Sequence, residues 1–439
     1  MQMQYPTQEA VLSFDFSLDT LDVALRAPDG RWLIPHQPFS NNRAGFQQLK
    51  GEVLAHLHGL EGVQLITVGE STALQWWHAF YQISTDPDFA PFDPTLILLN
   101  PAHVKHFRKA LPEEDKCDPK DPRLIDTYYR TRRPPHAYTF DERYLPLRCL
   151  TRAYHRLIQT LAAEKAFCLT LVYLLASDYQ RLKPFSDPFG VTSLHLLSEY
   201  PDIATIADLP LADLSNELHR LARGHLQDPD ETARQLQQIA QDSYPLPDSL
   251  RPTLHFVLQQ TLDHIRFLEE QKTLYTTRIE EELALLPEAE LALTESGLGP
   301  ILVAGCLSKI QDTQRFTTGQ KYDAKGKCYR PRTYRDGQAA VAKMAGLWWP
   351  RHSSGRFEGQ DRRLARERNP HLRYWFVQAA YSLKRHQPEY RAYYQRKYRE
   401  ATRHHHKRAL ILTARKAVRL IFALLHKGQM AQLEEAPKP

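Results

Sequence analysis

The sequence predicts an α/β domain at the amino end followed by two mainly helical parts, the last of them strongly basic. Three observations carry this. Short apolar strand patterns alternate with helical spacing through the first 110 residues, apolar residues recur at helical intervals from about 144, and cations concentrate beyond residue 300. With 439 residues, 42% hydrophobic and 25% charged, the chain holds enough apolar material for two or three packed units, which excludes a wholly disordered chain.

VLSFDF (11–16) reads as a short buried strand, and LDVALRAPDGRWLIP follows as two strands joined by a Pro-Asp-Gly turn. Phe46, Leu49, Val53, Leu54 and Leu57 stand at helical spacing. QLITV (64–68) is the next strand, a helix carrying Trp76, Trp77 and Phe80 comes after it, and TLILLN (95–100) closes the series. Three strands, helix, strand, helix, strand is an order compatible with a mixed sheet covered by helices, and it is also that of ribonuclease-H-like folds. Prolines break the pattern at 112–135. Residues 144–242 then read as helical with an interruption at 184–188, and SYPLPDSLRP (243–252) is a second breaker.

Residues 254–286 predict one helix of about 50 Å. Its heptad positions from Leu254 through Leu258, Ile265 and Leu268 to Leu286 are mostly apolar, which points to an antiparallel or oligomeric coiled coil; a long helix on the side of one core is the alternative. The expected domains are 1–145, 146–287 and 288–430, with 431–439 a flexible tail; the segment 317–335 finds no place in this scheme.

The net charge of +6 conceals an asymmetry: residues 301–430 hold 29 Lys and Arg against 8 Asp and Glu, whereas 1–300 hold 27 against 41. Concentrated cations gain affinity for phosphate by releasing counterions, so a nucleic acid is the expected partner of the C-terminal third. MQMQYPTQEA carries no signal-peptide pattern, and the longest apolar stretch, 166–176, is shorter than the ~20 residues that span a bilayer. Five cysteines without a CxxC indicate neither a disulfide framework nor a zinc knuckle. A cytoplasmic, nucleoid-associated protein without membrane contact is expected. His404–His406 fall within a helical stretch and point in three directions, so no metal site is expected there.

Asp15 interrupts an apolar strand between Phe14 and Phe16, a costly position unless a cation or hydrogen bonds compensate it. Glu70 follows QLITV, at the strand end where open α/β sheets bind ligands. Asp118 and Asp121, in KCDPKDPRLID, lie three apart near a helix start; Pro119 favours a start at Asp118 and Pro122 one at Asp121. Converging carboxylates repel unless divalent cations neutralise them, and Mg²⁺ takes oxygen ligands while leaving positions for substrate phosphates. Taken singly, Asp121 reads as a helix cap and Glu70 as a surface loop residue.

FDFSLDTLDVAL, VGEST and NPAHVKHFRKAL…DKCDPKDPRLID together resemble the Asp, Glu, Asp, Asp signature of the RuvC-like domain in DEDD-type insertion-sequence transposases. That family includes Piv-like DNA invertases and bridge-RNA-guided recombinases. The resemblance makes Asp15, Glu70, Asp118 and Asp121 the metal-binding acids, with Cys117 and Pro122 where the family has Thr and Ala.

In the basic part, Gly297 and Gly299 precede a helix, a turn that suits a backbone phosphate as well as a plain helix–helix connection. Ser353 and Ser354 lie among Arg351, Arg356, Arg362, Arg363 and Arg366; a hydroxyl among guanidinium groups is placed to meet a phosphate, though Ser-Ser-Gly is also a common turn. Gly346-Leu347…Pro350…Ser354-Gly355…Asn369…Leu372-Arg373 resembles the C-terminal transposase domain of the same family, whose serine before glycine is the nucleophile. Ser354 is therefore expected to act, with Arg368 where glycine is usual.

The resemblance implies an α/β RuvC/ribonuclease-H-like domain, a helical coiled-coil linker and a mainly α transposase domain. It further implies Mg²⁺, as two ions in the family's manner, strand exchange through a covalent phosphoserine, donor and target DNA, a structured non-coding guide RNA, and a dimer or tetramer. Asn369 and Arg373 join Gly297, Gly299 and the arginines as expected nucleic-acid contacts. The alternatives are a RuvC-like metal-dependent resolvase, or a non-catalytic nucleic-acid-binding protein derived from a mobile element.

Overall fold

The alternation in the first hundred residues becomes a five-stranded sheet in the computed structural model. It describes residues 8–435 except 61, 72, 111–120, 134–136, 201, 324–325, 327, 351–352, 355–356, 359–363 and 366–368. These residues divide into two compact units, 1–141 and 142–439.

In the first unit, β1 (Gln8–Phe16), β2 (Thr20–Arg26) and β3 (Trp32–Ser40) form an antiparallel meander. α1 (Arg43–Leu57) leads to β4 (Val63–Glu70), and α2 (Trp77–Thr85) to β5 (Thr95–Leu99). The strand order is β3-β2-β1-β4-β5, with β1, β4 and β5 parallel. α3 (Pro101–Arg108) and α4 (Asp121–Arg132) follow.

Period-two alternation sorts the side chains between two cores. Leu12, Phe14, Phe16 and Leu65 face α1 and α2, while Val11, Ile66, Val68 and Ile97 face Val104 of α3 and Ile125 and Tyr129 of α4. The helix after the proline cluster starts at Asp121, with Pro122 in its first turn, where the missing N–H costs no intrahelical bond.

The second unit is mainly helical. α5 (Leu145–Leu175) is followed by α6 (Tyr179–Leu182), α7 (Val191–Glu199), α8 (Leu211–Leu221), α9 (Pro229–Asp242) and α10 (Arg251–Ala284). Tyr144, Leu147 and Tyr154 share one core with Ile279 and Leu283, whereas Leu161, Leu171 and Leu175 share another with Leu254, Leu258 and Leu262. α5 and α10 therefore run antiparallel. Leu254, Leu258, Ile265, Leu268 and Leu286 of the heptad series are buried within the chain itself.

Within Glu142–Leu175 an 18-residue window reaches a mean hydropathy of 1.4, so the stretch is long and apolar enough to cross a membrane. A count of the uninterrupted apolar run alone passes over this. Its inward residues pack in the two cores, and midway Glu164 and Lys165 pair with His264 (3.5 Å) and Glu269 (2.5 Å) of α10.

The remaining elements are α11 (Glu290–Leu293), α12 (Pro300–Ile310), α13 (Gln314–Thr317), β6 (Gln320–Asp323), β7 (Cys328–Pro331), α14 (Tyr334–Met344), β8 (Ser353–Ser354), β9 (Phe357–Glu358), α15 (Pro370–His386), α16 (Pro388–Glu400) and α17 (His405–Glu435). The segment 317–335 thus holds a β-hairpin, β6–β7, and a helix cap in which Thr333 and Asp336 bond each other's backbone N–H. Trp375 lies against Gly305, where an added Cβ would meet its ring at 2.2 Å; a residue with no side chain is what lets α12 and α15 approach.

Candidate active site and nucleic-acid surface

β1 and β4 pair in parallel up to Phe14 opposite Gly69, which sets Asp15 beside Glu70 at the carboxyl ends of adjacent strands. Alternation turns both to the α4 side of the sheet, with Val11 and Val68 below them. The opposite face anchors this end: Phe14 and Phe16 stack at 5.1 Å, and Phe80 meets both edge-on at 5.8 and 5.5 Å. Gly69 leaves room for that anchor, since a Cβ there would meet the Phe16 ring at 2.4 Å.

α4 runs antiparallel to β1. Arg133, just past its end, pairs with Glu9 at the start of β1, and Asp126 bonds Arg26 (3.0 Å), which stands opposite Val11. Asp121, the first residue of α4, thereby lies toward the Asp15 end. It is buried and paired with Arg108 at 2.7 Å. Asp126, fully buried between Arg26 and Arg130 (2.9 Å), is neutralised locally and ties α4 to the sheet.

Sequence reasoning missed Asp22. It stands opposite Asp15 in the β1–β2 register, accepts from Thr20 Oγ1 and lies 2.9 Å from His36 Nε2. The register of the β1–β2 hairpin, closed by the tight turn in which Ser17 N bonds Thr20 O, carried the signal.

Asp118 falls outside the described residues. Among those described, no three His, Cys, Asp or Glu side chains stand close enough to hold one metal ion. Asp15, Glu70 and Asp121 share a sheet face and a strand end, but they do not close into a ligand cluster. Their chemistry nonetheless fits a hard divalent cation: all are carboxylates, and the buried one already holds a guanidinium as its counter-charge.

In the basic part, Ser354 pairs with Phe357 and Ser353 with Glu358 across β8 and β9. Arg351, Arg356, Arg362, Arg363 and Arg366 lie outside the described residues. Asn369 caps α15, its Oδ1 accepting from Leu372 N at 3.0 Å, and Arg373 follows one turn on. Gly297 adopts φ +89° and packs on Leu383 and His386, so conformation and close approach both call for glycine; Gly299 caps α12, with Pro300 at its first position.

A cationic cluster that includes the buried Lys309 lies where α5, α12 and α15 meet. Lys309 is 5% exposed and its Nζ has no hydrogen-bond partner among the described residues. Burial, and then Arg148 and Arg152, push its pKa down to about 6. Burial and Lys309 likewise push the neighbouring His371 down to about 4. A lone lysine in the apolar run ILVAGCLSKI was the signal.

Residues 13–172 match a family model described as DEDD transposase, IS110 type, and residues 331–395 match one described as transposase of the IS116/IS110/IS902 family. This chain belongs to the IS110-family DEDD transposases. No curated protein matches the chain. The first match runs from the strand bearing Asp15 into α5, and the second covers β8, β9 and most of α15 and α16. As a transposase the chain is an enzyme acting on DNA, and DEDD-type transposases generally use divalent metal ions.

Proposed function

We propose that this transposase exchanges DNA strands through a covalent serine intermediate, using metal-binding acids of its α/β part and a serine of its basic part. In this reading 1–145 is a RuvC-like domain, 146–287 a coiled-coil linker and 288–430 the transposase domain bearing Ser354. The observation that carries it is the register placing Asp15 beside Glu70, with α4 bringing Asp121 to the same strand end.

Asp15, Glu70, Asp118 and Asp121 would hold Mg²⁺, which supplies Lewis-acid polarisation of a phosphate oxygen when bound. Asp121, now paired with Arg108, would have to give up that pairing to serve as a ligand. Ser354 Oγ attacks a phosphodiester: an Oγ–P bond forms, a P–O bond to one deoxyribose breaks, and the serine proton ends on the departing sugar oxygen. The arginines around Ser354 take the charge that develops on phosphate, while Asn369, Arg373 and the Gly297–Gly299 turn order nucleic acid nearby. A structured guide RNA selects donor and target by base pairing, leaving the protein to read backbone and shape.

The acids of one subunit then serve the serine of another. Support for the oligomer comes from α10, whose exposed Phe256, Phe267 and Leu274, with Leu285 just beyond, lie opposite its buried stripe. They are symmetric about residues 270–271. An antiparallel second copy would set Phe256 against Leu285, Phe267 against Leu274 and Asp263 against Arg278, so that apolar groups and opposite charges both match.

The deciding experiment incubates the enzyme with its flanking-end DNA and Mg²⁺, denatures it, digests it and analyses the peptide HSSGR by mass spectrometry. A nucleotide adduct on the second serine is expected, lost in Ser354→Ala while DNA binding persists. Cleavage with no adduct would instead establish a hydrolytic resolvase.

A further inference from the structure

The corner between α15 and α16 is built as a rigid cationic cleft. Pro388 starts α16 two residues after α15 ends, and Gln387 between them is pinned by its side-chain amide to Glu295 Oε1 (2.6 Å) and Ser296 O (2.7 Å). Arg391 reaches back to donate to Arg385 O (2.7 Å) and Lys384 O (3.4 Å), carbonyls that the helix end leaves unbonded. Between the helices lies an open cleft of about 350 Å³ lined by Lys384, Arg385, Arg391, Tyr394 and Gln395.

None of these lining residues is acidic. The carboxylates of α16 are engaged elsewhere, Glu389 with Lys416 and Glu400 with Lys397 (both 2.5 Å). Lys384 Nζ stands 4.5 Å from the Tyr381 ring and 4.3 Å from the Tyr394 ring. Burial, and then Arg385, hold its pKa below the ordinary lysine range, as expected of a half-buried cation beside another cation.

Aromatic faces continue the cleft. Tyr394 is fixed by His406 (2.6 Å) and lies 6.0 Å from Tyr398, whose carbonyl is bonded by His405. Tyr381 and Tyr398 are both exposed. The adjacent histidines thus order the tyrosine row.

We infer that this cleft binds single-stranded polynucleotide, with Lys384, Arg385 and Arg391 meeting backbone phosphates while unpaired bases stack on Tyr381 and Tyr398. Cations with no carboxylate partner among the described residues, set beside exposed rings, suit a strand whose bases are free, whereas a duplex offers its phosphates and hides its base faces. The inference rests on the reading of the chain as a nucleic-acid enzyme, but its test needs no catalysis. A protein that never forms the Ser354 adduct can still bind strands here.

The experiment measures anisotropy of a labelled 20-nucleotide RNA, the same sequence as DNA, and its duplex with the full-length chain across a salt series. Lys384→Gln/Arg385→Gln leaves Arg391 to cap α15. It is expected to weaken binding and to lower the log–log salt slope by about 1–2. Tyr381→Ala/Tyr398→Ala is expected to weaken single strands about tenfold or more and to leave the duplex within twofold. Preferential loss on RNA or on DNA identifies which strand the cleft takes. Wild-type single-strand affinity in both variants, or equal loss on strand and duplex in the tyrosine variant, would overturn the inference.

Discussion

Replacing Lys309 by Met should stabilise the helical unit. The lysine is buried without a hydrogen-bond partner among the described residues, faces Arg148 and Arg152, and has its pKa pushed from 10.5 to about 6. At about pH 7.5 the unfolded chain keeps the proton and the folded one sheds it, which costs on the order of 4 kcal/mol. Met keeps the apolar stem and carries no charge, so the variant escapes that cost. The unfolded state binds more protons than the native state between about pH 6 and 10.5, so wild-type stability rises with pH in this window. The advantage of the variant should accordingly shrink by about 1.4 kcal/mol per pH unit from 6.5 to 8.5. Below pH 6 the lysine is charged in both states and the advantage levels off. Urea unfolding followed by helical circular dichroism at three pH values measures this. A destabilised Lys309→Met, or one whose stability tracks wild type across the series, would refute the reasoning.

Two further outcomes bear on the site and its assembly. Asp15→Asn should lose roughly a hundredfold or more of Mg²⁺-dependent strand cleavage while the thermal transition is kept, because Asp15 is half-buried at a strand end rather than part of a core. An unchanged cleavage rate would remove it from the site. Phe267→Glu/Leu274→Glu places four carboxylates at the centre of the antiparallel α10 pairing and should halve the mass seen by light scattering, whereas Asp263→Arg/Arg278→Asp, which keeps that pairing complementary, should leave it unchanged.

Much of the α/β part was legible because its signals are local. The short buried runs VLSFDF and QLITV mark strands, so Asp15 could be placed within one and Glu70 at the end of another from sequence. What pairs with Asp121 was not legible: Arg108 is brought to it by the path of α3, which no local pattern encodes. The heptad series in α10 announced a buried seam but not its partner, and α5 supplies that partner across two intervening breakers. The β6–β7 hairpin escaped because its strands are short and solvent-facing, so Lys321, Tyr322 and Tyr329 lack the buried alternation that marks a strand. Asp126 shows the converse: a buried acid inside a catalytic-looking segment that serves only to anchor α4.

α5 and α10 each pass through both cores of the second unit, and a helix of 31 residues is about 47 Å long. Two such rods side by side resist bending far better than a jointed chain. A tilt imposed where Leu254 and Leu171 pack therefore reappears as a displacement around Leu283 and Leu147, magnified by distance from the pivot. The pair forms a shared beam: the core that holds Trp375 and the bundle around Leu254 are packed on the same two rods.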